Sequence, residues 1–190
     1  MTELYLPIEQ TSWERLHDRS PQVWAARPDS LDVRWLAFLV RIGHWWLGEQ
    51  FLDSLSGQAQ EAVAAGAEDE LLREFGSAWN EGTLRSLVGR TMAREGYPDT
   101  QAGGLALYLD IHLGRIVRGV VHPRVGAAAA VWGASGAAWV PDLVFLLEGL
   151  TYSWDVPDQT GHRPQIERIM VDLARDYCGP RMAAGFRYAG

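Results

Sequence analysis

Proline cuts this chain into helix-length pieces. Four of its nine prolines precede aspartate: Pro28-Asp29, Pro98-Asp99, Pro141-Asp142 and Pro157-Asp158. Proline lacks an N–H and has a fixed φ, so it suits a first helical turn or a connection, not a helix interior. Aspartate beside it accepts hydrogen bonds from free first-turn N–H groups and suits the positive end of the helix dipole. The first three pairs lead into apolar residues at helical spacing and read as helix starts; the fourth reads as a turn.

Between these marks apolar residues recur at intervals of three and four. Thr11 and Glu14 form a T-x-x-E capping box for a helix from Ser12 to about Ser20, with a short piece or turn from Pro21 to Trp24. Ser30 can cap a long helix from Leu31 to Leu55, with Trp35, Leu36, Leu39, Ile42, Trp46 and Leu47 as its apolar positions and Gly57 as its stop. Further helices are expected over Gln58–Ala65, Glu68–Trp79, Asn80–Glu95 (ended by Gly96), Asp99–Val121 and Pro141–Tyr152. Asp155–Pro164 reads as a loop, and Gln165–Tyr177 as the last helix, stopped by Gly179-Pro180. The Gly/Ala-rich run from Val125 to Trp139 favours helix through alanine and opposes it through Gly133 and Gly136. Only Glu3 to Ile8 resembles a strand, and it has no evident partner. The expectation is one all-α domain over 1–190, an irregular orthogonal bundle of six to eight helices, with 181–190 as a loosely ordered tail.

Hydrophobic residues make up 47% and charged residues 22%, which excludes a disordered or fibrous chain. A lone cysteine, Cys178, excludes an internal disulfide framework. The start, Met1-Thr2-Glu3-Leu4-Tyr5, lacks the basic and apolar regions of a secretory signal. The most apolar run, Val125–Val140, falls short of the roughly 20 residues of a membrane span. These features together read as a soluble, cytoplasmic protein that does not engage a membrane.

All 17 basic residues are arginine, as G+C-rich coding would produce without any functional cause. Their distribution is uneven. Residues 1–82 carry a net charge of −8, residues 83–135 a net of +3 and residues 136–190 a net of −2. In the electropositive middle, Arg115, Arg118 and His122 fall within about 60° of one another on a helical projection, opposite the apolar stripe of Leu105, Leu109, Leu113, Ile116 and Val120. Arg124 lies just beyond. Arginine's planar fork matches phosphate and carboxylate, so Arg115, Arg118, His122 and Arg124 are the candidate anion- or partner-binding residues. The competing reading is a solvated helix face.

Nine tryptophans supply the second candidate surface. Trp45 and Trp46 are adjacent, hence about 100° apart on a helix, so one ring is expected in the core and one in a groove or interface. Trp132 and Trp139 flank the Gly/Ala run, either wedging it into the core or forming a contact with another chain. Trp45, Trp46, Trp132 and Trp139 are therefore the candidate interface residues.

Catalytic and metal signatures are weak. Glu14 and His17 have the E-x-x-H spacing of di-iron bundles, but no second copy follows. Gly133-Ala134-Ser135-Gly136 is not a nucleophile elbow, because Ala137 stands where the last glycine belongs. No phosphate loop, dinucleotide fingerprint or paired C-x-x-C occurs, so no catalytic residue, metal or cofactor is assigned. The leading expectation is a non-catalytic helical binding protein for a macromolecular partner, of adaptor, immunity or stress-response accessory type, with a homodimer through its tryptophans. The alternatives are a nucleic-acid-binding protein using the Arg/His face, and a helical enzyme or small-ligand binder with a tryptophan-lined pocket.

Overall fold

A computed structural model describes residues 33–135, 137 and 140–183. The expected helices before Val33, the Glu3–Ile8 segment, Glu14, His17 and Trp139 lie outside the described residues. Among those described, eight α-helices and no strand occur, and 79% of the structure is helical. The all-α expectation is met.

The helices are α1 (Val33–Trp46), α2 (Ser54–Ala64), α3 (Glu70–Ser77), α4 (Glu81–Glu95), α5 (Gln101–Val117), α6 (Pro123–Ala134), α7 (Asp142–Asp155) and α8 (Arg163–Ala183), with a 3-10 turn at Pro157–His162 before α8. They gather into two compact units that divide at Tyr108 and Leu109, within α5.

In the unit up to Tyr108, α1 and the helix after it are separate, where the spacing predicts one long helix from Leu31 to Leu55. The break lies at Gly48, whose φ of 79° is left-handed. Its N–H donates to Trp45 O, and the Glu49 N–H reaches back to His44 O, both at 3.0 Å. This double closure satisfies the last carbonyls of α1 and turns the chain away. Gly57, the expected stop, lies inside α2 instead. The same closure at Gly66 and Gly96 ends α2 and α4. Asp69 caps α3 by accepting from the Leu71 N–H at 2.9 Å, and Asn80 caps α4 by accepting from the Thr83 N–H at 2.8 Å. Helices α2 and α3 pack side by side, Gln60 Nε2 donating to Gly76 O at 2.6 Å. Phe38, Leu39, Leu55, Leu72, Phe75 and Val88 form the core.

Helix α1 lies flush on α5 because glycine occupies the contact on each side. A Cβ on Gly104 would stand 2.2 Å from Trp46 Cβ, and one on Gly43 would stand 3.1 Å from Tyr108 Cβ.

In the unit from Leu109, α6, α7 and α8 pack pairwise. His122 caps α6, its Nδ1 accepting from the Arg124 N–H at 3.3 Å, with Pro123 at the first helical position. The Gly/Ala run is thus helical to Ala134. Its small residues are core: Ala127 and Ala130 are fully buried, and a Cβ on Gly126 would meet Ile116 Cγ1 at 2.5 Å. Helix α5 ends at Val117, short of the expected Val121, because Gly119 (φ 65°) closes it as Gly48 closes α1. Helix α8 runs past the expected stop at Tyr177. Its buried stripe of Ile166, Met170, Ala174 and Cys178 continues beyond that point, and packing along it carries the helix through Pro180.

Candidate functional site

The sequence-predicted cationic residues do not form one solvent-facing patch. Helix α5 has no polar face through its middle: every residue from Gly103 to Ile116 is buried except half-buried Ala106. Arg115, expected to face solvent, keeps only 8% of its surface, and Arg118 is half-buried. A helical projection presumes one wet side, whereas α5 is covered all round between Gly103 and Ile116. Asp110 and His112 are buried with it.

His122 and Arg124 do come together, around Trp154. Arg124 is fully buried. Its Nη2 donates to Asp155 Oδ2 at 2.8 Å and to Oδ1 at 3.1 Å, and its Nε donates to Oδ1 at 3.2 Å. His122 Nε2 lies 3.2 Å from Glu167 Oε1, which also accepts from Trp154 Nε1 at 2.9 Å. The Arg163 guanidinium lies over the Trp154 ring at 4.2 Å from its centroid, and its Nε donates to Trp154 O at 3.0 Å. The Trp154 ring also meets that of His122 edge-on at 6.1 Å. The start of α6, the end of α7 and the first turns of α8 are thereby tied at one tryptophan.

Burial disfavours the imidazolium and holds His122 below its ordinary 6.5; Glu167 opposes this and the Arg124 charge adds to it. A neutral ring with its proton on Nε2 fits both contacts, since Nδ1 then accepts from the Arg124 N–H and Nε2 donates to Glu167. The guanidinium of Arg124 and the carboxylate of Glu167 are engaged with neighbours, so this cluster joins helices and presents no open cationic fork to a phosphate.

Trp45 and Trp46 also depart from expectation. Instead of diverging, both rings are half-buried, 4.7 Å apart between centroids, and both lie under the Arg85 guanidinium at 5.2 and 4.8 Å. Side-chain torsions bring together what the backbone separates. Arg85 Nη1 in turn donates to Asp99 at 2.8 Å. A second such pile stands at Trp35, whose Nε1 donates to buried Glu95 at 3.0 Å while Arg94 covers its face at 3.7 Å. Among the described residues no group of three or more His, Cys, Asp or Glu side chains is placed to hold a metal ion.

The large apolar side chains left outside are more informative. Trp132 is 48% exposed. On α7, Phe145, Leu146 and Tyr152 are exposed by 60%, 54% and 72%, and they share one helix face with exposed Gly149. Phe51 and Trp79 are exposed by 83% and 88%. Periodicity could not find these, because it registers apolar spacing and α7 has apolar residues on both sides. Comparison of the chain with protein-family models, with curated proteins and with solved structures finds no match.

Proposed function

We propose that this chain is a non-catalytic helical binding protein that works by protein–protein recognition, beginning with a second copy of itself. The observation that carries the reading is the outer face of α7. Large apolar side chains scattered singly over a surface are ordinary, but three on one face of one helix form a patch of the kind that marks an interface.

The spacing suits a twofold contact. In an antiparallel pairing of α7 with its copy about Glu148 and Gly149, Phe145 of each helix stands opposite Tyr152 of the other, and Glu148 opposite Gly149. Such self-complementarity is what a dimer axis requires, since each contact is made twice. Gly149 sits at the centre of the face with open space where a Cβ would be, so the two backbones can approach closely there. One helix face is smaller than the ~800 Å² per partner of a standard interface, so the dimer is expected to be weak, with a micromolar dissociation constant. Because Arg115 and Arg124 are buried, a cationic nucleic-acid-binding face has less support than this apolar one.

Sedimentation equilibrium over a wide concentration range tests the reading. A mass rising from 21.1 kDa towards twice that value is expected, and Phe145→Ser with Tyr152→Ser should return the protein to 21.1 kDa with its helix content intact. A constant monomer mass at every concentration would reject it.

A further inference from the structure

We propose that the open end of the α2–α3 hairpin is a docking site for a basic, apolar segment of a different protein. This goes beyond self-association and concerns a different surface.

Helices α2 and α3 are joined by the short connection 65–69 and lie side by side, Gln60 beside Gly76. The start of α2 and the end of α3 therefore lie at the same end of the pair, away from the connection. Phe51 immediately precedes that start, and Trp79 immediately follows that end. They are the two most exposed large apolar side chains among the described residues. Trp35 and Trp154 keep 4% and 6% of their surface, while Trp79 keeps 88%. Both segments are held by hydrogen bonds. The Ser54 hydroxyl donates to Phe51 O at 2.6 Å, and the Ser54 N–H donates to the same oxygen at 3.2 Å. The Ala78 N–H donates to Phe75 O at 3.1 Å, and Asn80 caps the next helix. Aromatic anchors on a pre-ordered backbone are the side chains that dominate protein interfaces.

Charge identifies the partner. Between Gly48 and Trp79 the chain has seven carboxylates and one arginine, Arg73, whose Nη2 donates to Glu68 O at 3.0 Å. Exposed Asp53 lies two residues from Phe51, and exposed Glu81 two residues from Trp79. The arginines of the neighbouring helix already face carboxylates: Arg85 pairs with Asp99, Arg90 with Glu74, and Arg94 with Asp69. The aromatic pair thus stands in a negative field. A second copy of this chain, at net −7, is repelled there, whereas a segment carrying arginine or lysine beside apolar residues finds carboxylates for its charges and an indole face for a guanidinium.

The test uses the full chain and two labelled amphipathic helical peptides, one of leucine and arginine, the other of leucine and glutamate, read by fluorescence anisotropy. The arginine peptide is expected to bind and the glutamate peptide not. Trp79→Ala and Phe51→Ala should each weaken binding about tenfold, as for interface anchors, with the thermal midpoint unchanged because both side chains are exposed. Asp53→Asn with Glu81→Gln should flatten the salt dependence, while Asp158→Asn, an exposed carboxylate in the other unit, should not. Failure of the arginine peptide to bind, or binding indifferent to both aromatic substitutions, would overturn the proposal. Loss of self-association in Trp79→Ala would also overturn it, since a second copy would then be the occupant.

Discussion

Arg124 keeps none of its surface exposed, while the Asp155 side chain keeps 29% of its own. Truncating the arginine therefore leaves a carboxylate that can partly regain water, whereas truncating the aspartate strands a buried cation. Arg124→Ala should lower the unfolding free energy by about 2–4 kcal/mol, and Asp155→Ala by at least as much. Urea denaturation measures both, and a loss under about 1 kcal/mol would mean that the pair does not hold α6 to α7. Acidification gives a second test at this scale. Burial holds both His122 and His44 below 6.5, so the folded chain binds fewer protons than the unfolded chain between the lowered values and 6.5. Their contribution to stability is complete above 6.5 and declines as pH falls below it. The thermal midpoint should fall on acidification from about pH 7 to about pH 5, and less steeply in His122→Asn, which keeps a capping side chain without the titration. Equal slopes would remove His122 from the account. The sequence draws His122 and Arg124 into one candidate set, but their partners Asp155 and Glu167 are 31 residues or more from Arg124 in sequence, beyond the reach of any local pattern.

At the scale of the element, glycine does two opposite things in this chain, and spacing alone does not tell them apart. Gly48 and Gly119 end helices in the left-handed conformation, Gly57 lies within a helix with open space where a Cβ would stand, and Gly104 lies within a helix because Trp46 needs its space. The long helix expected from Leu31 to Leu55 fails at this point: the stop lies at Gly48 and not at Gly57. Helices beginning at a side-chain cap were more legible, since Asn80 carries its own instruction and Gly96 its own stop. Two substitutions separate the roles. Gly57→Ala should stabilise the fold by about 0.5–1 kcal/mol through helix propensity. Gly104→Ala should destabilise it by about 2 kcal/mol or more, because the new methyl meets the Trp46 side chain at its root, where it cannot swing away. Thermal denaturation of the two variants should give shifts of opposite sign.

For the molecule as a whole, the all-α class was fully legible, because helical periodicity and the lack of alternation require no knowledge of what packs on what. Far-ultraviolet circular dichroism should show dominant helix, and strand above about a quarter would contradict the fold. What covers each helix was not legible. From sequence, α5 reads as carrying a solvent-facing basic face, and the apolar run of α6 is left between core and interface; both are largely interior, and exposed aromatics lie on α7 and at the hairpin end. The proposed dimer and the proposed docking site use these separate surfaces. Phe145→Ser with Tyr152→Ser should therefore leave peptide binding at the hairpin unchanged, and Trp79→Ala should leave the sedimentation mass unchanged.

The burial of α5 on every side also sets a clock. An amide can exchange its hydrogen with solvent only when its bond opens to water, and a helix sheathed all round has no wet edge from which to fray. Among the described residues, the amides of 107–116 should thus be the last to take up deuterium, doing so only when the whole fold opens, although the division between the two compact units falls within this same stretch. A fragment ended at Tyr108 would cut the most protected turn of the chain and leave Leu109, Ile111 and Leu113 without the helix that begins them. Among the described residues, protease should cut first elsewhere, at exposed bends such as those around Gly48 and Gly66.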